Sequence, residues 1–149
     1  MIAALIFAVL SNADPIALTG DYNFYSAEKV DDRPICSERW HFGNDGILTV
    51  ESGKQIVKKR FRFENDGKLH ELILVGVESN GLPDCTGSTK AILPGETDLN
   101  LLYRTALGDV AVCRPIYEQG TGKLFAQRGI GALHAADQNE PSDAKPKPN

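Results

Sequence analysis

Residues 36–78 read CSERWHFGNDGILTVESGKQIVKKRFRFENDGKLHELILVGVE, and this stretch decides the fold. Four strand-like runs, CSERWHF, ILTVES, QIVKKRFRFE and KLHELILVGVE, are joined by Asn44-Asp45-Gly46, Ser52-Gly53-Lys54 and Asn65-Asp66-Gly67. Asn-Gly and Asp-Gly steps reach the positive-φ conformations that tight hairpins need, so consecutive runs become antiparallel neighbours. The result is an up-and-down meander.

The face each run buries follows from alternation. Trp40 and Phe42 place Cys36 and Glu38 on the inward side of the first run. Glu38 is the awkward member, because a carboxylate facing a closed interior must be paired, protonated or close to water. In the third run Val57, Phe61 and Phe63 face inward, and Lys58, Arg60 and Arg62 outward. Lys59 breaks the inward pattern, which makes it the expected partner of Glu38. The run Leu72-Ile73-Leu74-Val75 is apolar on both faces, so its outer side needs a cover from the N-terminal segment or the C-terminal tail.

Outside the meander, residues 18–26 read as a first strand, with Leu18, Gly20, Tyr22 and Phe24 on one parity. A polar link, 27–34, arches over one end. Residues 82–96 (LPDCTGSTKAILPGE) form the longest irregular stretch, the kind that serves as a lid or binding element. Residues 97–105 and 110–117 flank the turn 106–109. A last strand starts at Lys123 and runs to Gln127, with an extension past Gly129 to His134 in view. The expectation is all-β: an eight-stranded antiparallel up-and-down barrel, which removes sheet edges and leaves room for side chains or one small ligand. Residues 135–149 have three prolines and no aliphatic beyond alanine, and read as a disordered tail.

A chain of 149 residues, 42% apolar and 24% charged, suits one soluble domain, 14–134. A net charge of −4 gives no reason to expect nucleic acid. Residues 2–10 (IAALIFAVL) are too short to span a bilayer, which takes about 20 residues. They match the apolar core of a secretory signal, and Ser11-Asn12-Ala13 supplies small residues for cleavage before Asp14. No Lys or Arg precedes the run, and the alternative is an apolar N-terminal strand or helix packed on the domain. The expectation is a signal peptide over 1–13, hence export to the periplasm or medium, with no transmembrane segment.

Cys36, Cys85 and Cys113 fit an oxidising compartment with one bridge and one leftover thiol. Cys85–Cys113 is the first choice, because the loop carrying Cys85 leads into the hairpin carrying Cys113; closing it stabilises by about 3.6 kcal/mol on the chain-entropy model. Cys36–Cys85 is the second, since both fall at the same end of the sheet. In the first arrangement Cys36 is a small buried hydrophobe.

Leu18-Thr19-Gly20-Asp21-Tyr22 and Trp40-His41-Phe42-Gly43-Asn44-Asp45-Gly46 resemble the opening Gly-x-Trp and the aromatic–Phe–x–x–Asp-Gly hairpin of lipocalin-like (calycin) domains in their short secreted form. The layout is similar over about residues 18–128. Tyr22 stands where that family has Trp, and Arg128 is the candidate for its barrel-closing Arg. The resemblance implies a cavity for a hydrophobic or amphipathic small molecule and no reaction.

The chemistry-bearing residues point nowhere sharper. His41, His70 and His134 lie on different strands without the close spacing of metal ligands, so no metal is expected. No nucleophile elbow, phosphate loop or dinucleotide fingerprint occurs, and no catalytic residue or cofactor is assigned. Lys58, Arg60 and Arg62 read as a solvated outer face before they read as a contact for an anionic partner. Three classes remain. The first is a binder of a small hydrophobic or amphipathic molecule at the barrel mouth, where Tyr25, Cys36, Glu38 and Trp40 converge with Leu82 and Leu93. The second is an envelope protein-interaction module, such as an inhibitor of a secreted protease, using loops or residues 14–18. The third, an enzyme, needs a strongly shifted Glu38 or Asp84, and is not the expectation.

Overall fold

Eight antiparallel strands close on themselves in the computed structural model, which describes residues 14–136. In chain order they are β1 (Gly20–Ser26), β4 (Ser37–Phe42), β5 (Ile47–Ser52), β6 (Gln55–Asn65), β7 (His70–Ser79), β8 (Thr97–Arg104), β9 (Val110–Tyr117) and β10 (Leu124–Ala135). Between β1 and β4 the polar link folds into a small separate hairpin, β2 (Lys29–Val30) and β3 (Arg33–Pro34). The barrel is sealed by β1, which pairs with β4 on one side (Tyr22 opposite Trp40) and β10 on the other (Tyr22 opposite Ala135). The last strand thus runs through the glycines at 129 and 131 to Ala135. The expected leader, 1–13, and residues 137–149 of the expected tail lie outside the described residues.

The two ends differ. At one end lie the hairpins β4–β5, β6–β7 and β8–β9, and the chain before β1. Ile16 and Leu18 belong to the buried core there, together with Trp40, Phe42, Leu72, Leu102 and Leu133. Phe42 is the hub, with edge-on contacts to Tyr22 (5.8 Å) and Phe61 (5.1 Å). Aromatic edges and aliphatic side chains therefore fill this end to the close packing of a protein interior. Ile73 and Leu101 alternate out of phase with that core and are nevertheless buried. Most of the N-terminal segment and the C-terminal tail, the segments expected to cover that face, lie outside the described residues.

The other end carries the link 27–36, the β5–β6 turn, the long loop 80–96 and the β9–β10 hairpin. Here the inward positions turn polar: Glu38, Ser52, Gln55, Lys59, Asp98 and Arg114. Alternation fixes their direction, and packing does not fill the space between them.

Candidate functional site

The polar end encloses a cavity of about 510 Å³. Trp40, Val50 and Val57 give it an apolar floor, Glu38, Lys59, Asp98 and Arg114 come from the strands, and Lys90 to Ile92 and Glu96 from the long loop. Trp40 stacks on Phe24 at 5.1 Å, which fixes its ring plane. Its indole N–H donates to Glu38 Oε2 at 2.7 Å.

The loop is strapped down over this mouth. Cys85 is disulfide-bonded to Cys36, with Cα atoms 5.4 Å apart. Gln55 Nε2 donates to the carbonyls of Leu82 (3.1 Å) and Lys90 (3.4 Å), and Lys54 N–H to that of Pro83 (3.0 Å). Gly76 exchanges hydrogen bonds with the far side of the loop: its N–H donates to Glu96, and its carbonyl accepts from Gly95, each at 2.9 Å. A Cβ on Gly76 would lie inside the Leu93 carbonyl, and one on Gly53 would meet Asp84 backbone carbon at 2.7 Å. Glycine is required at both places because backbone crosses backbone there.

The bridge corrects the first-choice pairing, Cys85 with Cys113. Cys36 and Cys85 meet because the end of the link and the start of the long loop share one rim. Cys113 is the free thiol, opposite Leu101 and Gly129 on the outward parity of β9. Burial pushes its pKa up, so it is not a poised nucleophile.

Of the residues expected at the mouth, Glu38 and Trp40 line the cavity, and Cys36 sits at its edge with Sγ 3.8 Å from Glu38 Oε1. Tyr25 faces outward, edge-on to His134 at 5.2 Å. Leu82 and Leu93 turn their side chains to solvent, 47% and 67% exposed, while their backbone carbonyls meet the barrel. Arg128 lies opposite Arg114 at the open end, far along the sheet from Tyr22, so it does not close the barrel over that ring.

The expected Glu38–Lys59 pair is not a contact. Among the described residues Lys59 makes no hydrogen bond or ion pair; the ion pair at the mouth is Arg114–Asp98, at 3.8 Å. Burial holds the Lys59 ammonium below its ordinary value, against the pull of Asp98 and Glu38. Asp84 is held low by the Thr86 hydroxyl and the backbone N–H groups of its own turn, which is a structural role. His41 and His134 sit on the outer face, where His41 bonds Asp21 at 2.8 Å and His134 bonds Asp109 at 2.9 Å. His70, half-buried on the inward parity of β7 with Leu72 and Leu74, lies at the packed end and bonds Asn65. The outward stripe of β6 is partly neutralised, Lys58 by Glu78 at 3.1 Å and Arg62 by Glu64 at 2.9 Å.

Cys36, Glu38 and Cys85 offer donor atoms within 4.8 Å of one another. With the sulfurs joined no thiolate remains to ligate, and a metal site there would require reduction.

Compared with family models, curated proteins and solved structures, the chain matches none. The closed eight-stranded antiparallel barrel is a calycin-like architecture, and that is as far as the likeness extends. No helix among the described residues is long and apolar enough to cross a membrane.

Proposed function

We propose that this protein is an exported lipocalin-like carrier or sensor that binds a small amphipathic molecule in the mouth of its barrel. The observation that carries the reading is the contrast between the two ends. One is packed solid with Phe42 at its centre; the other holds a cavity with an apolar floor and charged walls. A pocket with a few convergent polar groups on a rigid scaffold is the usual form of a small-molecule site. The strap supports this, because a bridged and hydrogen-bonded loop keeps the mouth preformed and limits the ordering cost of binding. The bridge also fits an oxidising compartment, in line with export.

Native mass spectrometry of protein taken from its own compartment, compared with the denatured mass, tests the reading. Excess mass that disappears on denaturation supports it. A clean apo mass under gentle conditions, repeated across preparations, counts against a carried ligand.

One observation favours the second reading, a protein-interaction module. Residues 114–128 form a ribbon whose strands pair with each other beyond the last β8 and β1 partners. Ile116, Tyr117 and Leu124 are exposed there, and Phe125 is 75% exposed. Exposed apolar side chains on a projecting hairpin suit contact with an envelope protein, including a secreted protease. Binding partners lost with Phe125→Ser while the mouth is intact would favour this second reading.

A further inference from the structure

The walls of the mouth are electrically balanced: Glu38, Glu96 and Asp98 face Lys59, Lys90 and Arg114. Around the barrel the strand charges alternate in sign, from Glu38 on β4 to Lys59 on β6, Asp98 on β8 and Arg114 on β9. In the closed order β4 and β8 stand on opposite walls, with β6 midway between them. Lys59 therefore projects from the wall between two carboxylates that attract it and touches neither. On β8, the next inward residue below Asp98 is Asn100, 2% exposed, whose Oδ1 has no hydrogen-bond partner among the described residues. Its Nδ2 reaches Asp98, at 3.5 Å.

A singly charged amphiphile fits these walls poorly. A fatty acid would be drawn to Lys59, Lys90 and Arg114 and repelled by the three carboxylates; an alkylamine would meet the reverse. A molecule that inserts both charges into the gap turns long-range attractions into direct, charge-assisted hydrogen bonds on both sides. Its carboxylate would meet Lys59, and its ammonium the Glu38 or the Asp98 and Asn100 side. Its apolar part would lie on Trp40, Val50 and Val57.

We infer that the mouth binds a zwitterionic amphipath, an α-amino acid or short peptide with an apolar side chain, between Lys59 and the carboxylates of Glu38 and Asp98. The inference rests on the mouth being the ligand site, and it names the class of ligand.

Calorimetric titration of the full chain with phenylalanine and leucine, and with their single-charge analogues, tests it. The analogues are 3-phenylpropionate and 4-methylpentanoate, which lack the ammonium, and phenethylamine and 3-methylbutylamine, which lack the carboxylate. The expected result is saturable binding of at least one amino acid, with each of its analogues weaker by roughly tenfold or more. Lys59→Gln should cut amino-acid affinity by roughly tenfold or more, while binding of the corresponding amine, relieved of a like charge, should not weaken. Equal binding of an acid analogue and its parent overturns the zwitterion and leaves the mouth as a ligand site. So does failure of all six compounds on a protein whose native mass carries cargo. Failure of all six together with a clean apo mass overturns both readings.

Discussion

Trp40 donates its indole N–H to Glu38 Oε2 at 2.7 Å, two residues away on the same inward face. This bond answers the difficulty of a carboxylate on that face: Glu38 is oriented by a ring that Phe24 in turn holds. Hydrogen bonds to a charged group contribute about 1.5–3 kcal/mol. A double-mutant cycle of Trp40→Phe and Glu38→Leu, read by urea unfolding, should show a coupling of that size. Additive effects would mean the two side chains are neighbours without a shared bond.

The Cys36–Cys85 bridge spans 49 residues of sequence, and on the chain-entropy model such a loop contributes about 4 kcal/mol. The double variant Cys36→Ala/Cys85→Ala should lose a large part of that, and Cys113→Ala under about 1 kcal/mol. Alkylation of unreduced, unfolded protein followed by peptide mapping should place the label on Cys113 alone. Label on Cys36 would contradict the pairing.

Lys59 gives the stability curve an alkaline signature. Its folded pKa lies below the ordinary 10.5, so the unfolded chain holds this proton more tightly. The ammonium therefore weakens the fold below the folded pKa, and the weakness is relieved as pH climbs through that value towards 10.5. Lys59→Met should be as stable as the parent at neutral pH or better, by up to about 1–2 kcal/mol, a figure that water entering the mouth reduces. The gap between them should close as pH rises. A gap that stays constant from neutral pH to the alkaline end would show that burial does not penalise Lys59.

Gly76→Ala should unlatch the long loop. The new methyl collides with backbone at Leu93, which cannot move without breaking the bonds to Gly95 and Glu96. Overpacking of this kind costs about 1–3 kcal/mol. Hydrogen exchange at Gly95 and Glu96 should accelerate, while β4 and β5 stay protected. Gly129→Ala, with open space at the same atom, should be close to neutral and serves as the control.

The barrel itself was legible because its information is local. Asn-Asp-Gly at two turns and period-two alternation through Trp40, Phe42, Phe61 and Phe63 fix antiparallel order and facing at once. The disulfide was less so: pairing depends on which loop ends share a rim, and the order of closure does not reveal that until the barrel is built. The site was half visible. Glu38 and Lys59 stood out as charges on apolar faces, yet Asp98 and Arg114 read as ordinary strand charges. Their signal lies in comparison between strands, since each occupies an inward position close to the same end. Leu82 and Leu93 misled because the loop meets the barrel through its carbonyls, and backbone contacts leave little trace in side-chain identity.

Because Trp40 is the only tryptophan in the chain, the protein has a single indole N–H resonance, and it belongs to the floor of the mouth. Recording it while a small-molecule extract of the native compartment is added tests the central claim most directly. The account predicts that this resonance shifts and saturates while the amides of the 116–125 ribbon stay in place. An indole signal that does not move while the ribbon amides do would contradict a ligand site in the barrel and put the function on the projecting hairpin.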